Sequence, residues 1–175
     1  MRAFTILELL VSIFIIALMT AITVPGWRQG ETTLALDRAS RKLSQDIRKA
    51  TELAQRAQFS SCATGTIRGY GMYISTGTPT SYTLYVECSV PINDIYNAGV
   101  DSVFQTIVLE NRIQIDSATT PDSFSVFFVP PVPTITIQPA DPENPDQAQI
   151  TLSVVGDASR SKTITITTKG IIDID

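Results

Sequence analysis

The sequence predicts an α+β protein in which one long N-terminal α-helix packs on an antiparallel β-sheet domain. Three observations predict it. From Leu9 to Val24 no residue is charged, and only Ser12, Thr20 and Thr23 are polar. Apolar residues then recur at helical spacing as far as Ala57. After Cys62 the pattern changes to short runs of period two, the repeat of a half-buried strand.

The first element is the apolar run. Leu9–Val24 spans about 24 Å as a helix, and including Phe4–Leu7 lengthens the stretch to about 30 Å, the thickness of a bilayer's hydrocarbon layer. Arg2 and the initiator amine precede the run and Arg28 is the first cation after it. That asymmetry favours an N-in, single-pass orientation in the cytoplasmic (inner) membrane, with the rest of the chain outside. Glu8 interrupts the greasy stretch, and an unpaired carboxylate in lipid costs at least about 2 kcal/mol. A secretory signal peptide, with Thr20-Ala21-Ile22 as a weak cleavage site, leaves Glu8 unexplained. A plain signal anchor does too.

Ala3-Phe4-Thr5-Ile6-Leu7-Glu8-Leu9-Leu10 resembles the class III signal of type IV pilins and type II secretion pseudopilins. The resemblance implies that a prepilin peptidase cuts between Ala3 and Phe4, removes the leader 1–3, and leaves an N-methylated Phe4. Ala3 stands where the family normally carries glycine. Glu8 falls where the family places its glutamate. The implied role is registry: the Phe4 amine, on the same helix or a neighbouring subunit, offsets Glu8 as subunits stack. Pro25 falls where the family usually carries a helix-kinking proline. The implied fold is a lollipop: a transmembrane and assembly helix over 4–25, an amphipathic stick over 26–58 and an outer β-rich domain over 59–175.

Within the stick, Leu36, Ala39, Leu43, Ile47, Ala50, Ala54 and Ala57 line one helical face, with charged and polar residues filling much of the rest. Pro25, Gly26 and Gly30 weaken the middle, so a kink or a short unwound stretch is expected near 25–30. The cationic residues read as a solvated or subunit-facing surface in preference to a nucleic-acid patch.

Cys62 and Cys88 lie without a CxxC or histidine partner. Outside the cytoplasm a disulfide is the default reading, two unrelated buried thiols being the alternative. Strands are expected at Gly71–Ser75, Tyr82–Cys88, Phe104–Leu109, Arg112–Asp116, Ser123–Val129, Thr134–Gln138, Gln149–Val154 and Thr163–Thr167, in one sheet or two small ones. Glu110-Asn111 reads as a tight hairpin turn and Gly156–Ser161 as a looser one. Asp173 and Asp175 read as a solvated terminus.

Residues 129–147 hold most of the prolines and read as a rigid projecting loop that flanks one edge strand. Asp141, Glu143 and Asp146 there are weak calcium candidates without EF-hand spacing. No other metal and no cofactor is expected. The chain contains no histidine, its net charge is −4, and no P-loop, GxSxG or Rossmann glycine pattern occurs, so an enzyme is not expected and nucleic acid is disfavoured. Arg160, Lys162 and Lys169 are the one local basic group near the C-terminus.

The helix stretch LSQDIRKATELAQRA and the closing TITTKGIIDID resemble the minor pseudopilin group that includes the H-class type II secretion pseudopilin and the T-type fimbrial protein. A terminal strand is implied for the latter. The resulting expectation is a structural subunit of a type IV pilus-like filament or a secretion pseudopilus. Its partners would be other pilin subunits, the prepilin peptidase, an assembly platform with its ATPase, and the membrane. The alternatives are a major pilin, a minor pilin whose β domain binds DNA or a protein or surface ligand, and a soluble secreted domain.

Overall fold

A computed structural model of the chain describes residues 5–56, 62, 66–88, 95–118, 122–130 and 134–175, with the side chains of 23–29 left aside. The chain divides into two units, 1–34 and 35–175. Helix α1 (Ile6–Arg56) belongs to both. Its helical backbone runs unbroken through 25–30, so the unwound stretch expected there is absent. Proline removes one backbone donor, and the surrounding turns sustain the helix at that position. The expected extension of the helix to 58 lies outside the described residues.

In the second unit α1 does what its periodicity dictates. Leu36, Ala39, Leu43, Ile47, Ala50 and Ala54 are all buried in one core with residues of both sheets. Ala57 falls outside the described residues. Leu53, Ala35, Ser40 and Ser44 widen the buried stripe beyond the expected one. Ser40 and Ser44 turn their hydroxyls onto the helix's own carbonyls of Asp37 and Ser40, so neither carries an unsatisfied donor into the core.

Among the described residues nine strands follow: β1 (Gly69–Ser75), β2 (Ser81–Glu87), β3 (Ser102–Val108), β4 (Ile113–Ala118), β5 (Ser123–Val129), β6 (Thr134–Gln138), β7 (Gln147–Val154), β8 (Asp157–Thr167) and β9 (Ile172–Ile174). They form two sheets, ordered β3-β2-β1-β5-β6 and β4-β7-β8-β9. Every pairing is antiparallel. Central β1 is flanked on both sides, Met72 facing Leu84 of β2 and Val126 of β5. On the opposite face Gly71 leaves room for a ring: a Cβ there would collide with the Tyr85 side chain.

Two expected turns come out differently. Glu110-Asn111 makes a local turn, with Ile113 N–H donating to the Glu110 carbonyl at 3.0 Å. It is not a hairpin, because β3 pairs with β2 in one sheet and β4 with β7 in the other. The chain crosses between sheets there, and Arg112 takes a left-handed φ of 69°. The connection at Gly156 is tighter than expected: Val154 faces Asp157 across the pair Val155-Gly156. Gly156 has φ 84°, a conformation its missing Cβ permits.

The C-terminus is a third correction. The Asp173–Asp175 tail is no free solvated end, although both side chains are exposed. Its backbone extends the second sheet as β9, and Asp175 exchanges both main-chain hydrogen bonds with Thr163, at 3.0 and 3.2 Å. The terminal strand implied by the resemblance is therefore present. The proline-rich stretch holds β6 at a sheet edge, where proline's lost donor costs no interior ladder bond.

Candidate functional site

The first unit's chemistry begins at its helix start. Thr5 precedes α1 and Glu8 lies in its first turn. Glu8 Oε2 accepts hydrogen bonds from the Thr5 backbone N–H (3.2 Å) and hydroxyl (3.1 Å), and Thr5 Oγ1 accepts from the Glu8 N–H (3.3 Å). This is a reciprocal capping box, which satisfies otherwise orphaned helix-start donors. The carboxylate also sits at the positive end of the helix dipole. Thr-x-x-Glu is a legible signature of such a start, and it supplies Glu8 with intrachain partners that reading it only as a charge in oil overlooks. Ala3 and Phe4, the expected cleavage pair, and the Phe4 amine lie outside the described residues.

Beyond the cap, every described side chain from Ile6 to Ile22 is exposed, including Ile6 (87%), Leu7 (74%) and Phe14 (64%). The polar side chains in this stretch do not change that surface. Ser12 donates to the Glu8 carbonyl at 2.7 Å, and Thr20 donates to the carbonyls of Ile16 and Ala17 at 2.9 Å each. The result is a helix apolar on all sides with its hydroxyls turned onto its own backbone. Among the described residues no helix is long and apolar enough to cross a membrane. The apolar run of the sequence continues past the described side chains on either side, to Phe4 and to Val24.

The second unit carries the remaining candidates. Cys62 and Cys88 form a disulfide with Cα atoms 5.8 Å apart. It joins the segment after α1 to the end of β2. Asp101, buried, reinforces that end: its Oδ1 accepts the Cys88 N–H at 3.0 Å and its Oδ2 the Asn97 N–H at 2.7 Å. Nothing in the local sequence marks Asp101 for this role, because its partner lies 13 residues away.

Among the described residues, polar contacts join α1 to the strands and to the turn after β3. Asp37 pairs with Lys162 at 3.0 Å and Arg38 with Glu110 at 2.8 Å. Lys49 donates to Gln105 at 2.9 Å, and Tyr82 donates its hydroxyl to Asp46 at 2.6 Å. Burial, then the hydrogen bond and charge of Asp46, pushes the Tyr82 phenol above its ordinary range. The Arg38 guanidinium holds the Glu110 carboxyl below its usual value.

The expected basic group does not assemble as a free patch. Arg160 donates to Asp157 at 2.7 Å and Lys162 is held by Asp37. Of the three, Lys169 alone is without a described ion pair. The Ser159 hydroxyl and then Arg160 hold the Asp157 carboxyl below its ordinary range. Of the calcium candidates, Asp141 has other work. Asp141 Oδ1 accepts the backbone N–H groups of Glu143 (2.8 Å) and Asn144 (3.4 Å), which folds the loop on itself. Among the described residues no three His, Cys, Asp or Glu side chains converge as a metal site.

The fold and site thus define a long helix, apolar all round in its first part and amphipathic in its second, the latter joined to a disulfide-tied two-sheet β domain. No family model matches the chain, and no curated relative does. Among solved structures it is similar to the type IV minor pilin FimU of Pseudomonas aeruginosa, at 12% identity and a TM-score of 0.48. The match covers 80% of this chain and 87% of that one.

Proposed function

We propose that this chain is a pilin-like structural subunit, anchored in the membrane by residues 4–25 and polymerising through that helix into a type IV pilus-like filament or a secretion pseudopilus. The observation that carries the reading is the all-round exposure of the apolar helix from Ile6 to Ile22. Such a helix requires either lipid or partner helices on every side. Exchange of lipid for neighbouring copies supplies both environments in turn: an anchor before assembly, a helical filament core after it. Cleavage between Ala3 and Phe4 and methylation of the new amine belong to this reading.

In it Glu8 has two jobs. Thr5 holds Oε2 and so orients the carboxylate. The Phe4 amine of a neighbouring copy then offsets its charge at low dielectric, where attraction is strong and a lone ion is costly. A DNA-binding alternative has little to draw on, since Arg160 and Lys162 are already paired within the chain.

Mass spectrometry of the purified mature chain tests processing: a methylated N-terminus at Phe4 is expected, and any other start overturns the scheme. Glu8→Ala tests assembly. Membrane retention should be unchanged while recovery in sheared filaments falls at least about tenfold, the equivalent of roughly 1.4 kcal/mol. Undiminished recovery removes Glu8 from the account.

A further inference from the structure

Charge is divided unevenly within residues 35–175. The α1 portion, 35–56, carries six cations and three anions, whereas 57–175 carries five cations and twelve anions. Several helix cations are already engaged: Arg38 by Glu110, Lys49 by Gln105, and Arg56 by Glu52 at 3.8 Å. Arg41 and Arg48 are different. They lie two helical turns apart on one face, with Gln45 between them. All three are exposed, opposite the buried Leu43 and Ile47, and no described ion pair reaches either arginine.

The acids sort in the same way. Asp37, Glu110 and Asp157 are paired, and Asp101 is buried in its hydrogen bonds. Asp116, Asp122, Asp173 and Asp175 are exposed and in no described ion pair, and so are Glu143 and Asp146, which the loop 139–146 presents three residues apart. Its backbone is restrained by Pro139, Pro142 and Pro145 and by the Asp141 clamp. A pre-ordered loop loses little freedom when it docks.

We infer that the Arg41–Gln45–Arg48 face of α1 receives the Glu143–Asp146 loop of a second copy of this chain. The inference rests on the polymeric reading above. The occupant is a second copy because both halves of the complementary pair stand on one chain and no described ion pair joins them within it. A contact of one patch with a different patch is heterologous, and repetition of it builds an open helical array, the geometry a filament needs. Single exposed ion pairs are weak. Copies already held together by their apolar helices meet this contact at high effective concentration, so weak pairs suffice to select the stagger.

The test places a photo-crosslinking amino acid at Gln45 of the full chain, in assembled material, and a second probe at Phe14. The Gln45 probe should join a neighbouring copy within peptide 139–147. The double reversals Arg41→Glu/Arg48→Glu and Glu143→Lys/Asp146→Lys should each cut that product at least fivefold. Combining all four should restore it to within twofold, with the thermal midpoint of each variant showing that the fold is intact. A Gln45 product that maps elsewhere, or is indifferent to reversal, overturns the inference while Phe14 still joins copies. Loss of crosslinks between copies at both positions overturns the polymeric reading itself.

Discussion

Residues 6–22 and 35–56 belong to one helix yet have opposite surfaces. In the first stretch every described side chain is exposed, although most are Leu, Ile, Val or Phe. In the second, Leu43 and Ile47 are each 1% exposed while Arg41 and Arg48 face outward. The backbone is the same, so helix propensity does not explain the contrast. The second stretch has a polar face for water and an apolar face for the sheets, and both are satisfied within the chain. The first has no polar face at all and nothing within its own unit to bury against. Apolar burial is the driving term for folding and for association alike; one part of α1 uses it inside the molecule and the other leaves its apolar surface exposed.

The contrast is broken most directly by truncating one side chain in each stretch. Leu43→Ala should lower the unfolding free energy of the second unit by about 2–5 kcal/mol through lost burial and a residual cavity. Leu10→Ala should leave it within about 0.5 kcal/mol but weaken association between copies. Denaturant titration of the full chain in detergent, read with filament recovery, distinguishes the two. Equal effects on stability would erase the distinction.

The disulfide comes next. Opening the Cys62–Cys88 loop with Cys62→Ser should cost about 3–4 kcal/mol by loop-closure entropy, and only in the second unit. The thermal midpoint should drop in the variant, and dithiothreitol should lower the parent midpoint without altering that of the variant.

Tyr82 sharpens the account of how the second stretch is held. Its phenol is kept protonated in the fold by burial and by Asp46. Its folded pKa therefore lies above the unfolded value of about 10, and the linked stability is whole below about pH 10 and declines as pH rises further. Tyr82→Phe should cost about 1.5–3 kcal/mol for a hydrogen bond to a charged acceptor and flatten the decline of stability above pH 10. An unchanged alkaline slope would assign the effect to another group.

The smallest effect falls on the first stretch. Thr5→Val removes the capping hydroxyl and should weaken the helix start by about 0.5–2 kcal/mol. Faster hydrogen exchange confined to the first turns, with the midpoint of the second unit unmoved, is the expected result. A shift in that midpoint would show coupling between stretches that share a helix but not a core.

Much of this architecture was legible because it is local. The 3,4 spacing from Leu36 to Ala54 names its own buried face, and runs rich in β-branched and aromatic residues locate Ser123–Val129 and Thr134–Gln138 as they stand, although β5 is buried at five successive positions and does not alternate. The capping box is written in Thr5-x-x-Glu8. The pairing of strands is another matter. The turn at Glu110-Asn111 has the chemistry of a hairpin, yet whether β4 returns to β3 or joins β7 is decided by which sheet offers it a buried face. The solvated tail went astray for the same reason, since Asp173 and Asp175 are polar in side chain while their backbone completes a ladder.

By itself the sequence determined the long helix, its change from all-apolar to amphipathic, the one possible intrachain disulfide and the positions of most strands, because propensity and periodicity act over a few residues. Only the tertiary structure decided the division into two sheets, the docking of Asp101 under Cys88, the Asp46–Tyr82 bond and the pairing that neutralises Arg160 and Lys162. Those contacts join residues near and far in sequence, and they exist because a polar group near a folded core must find a partner wherever the packing brings one.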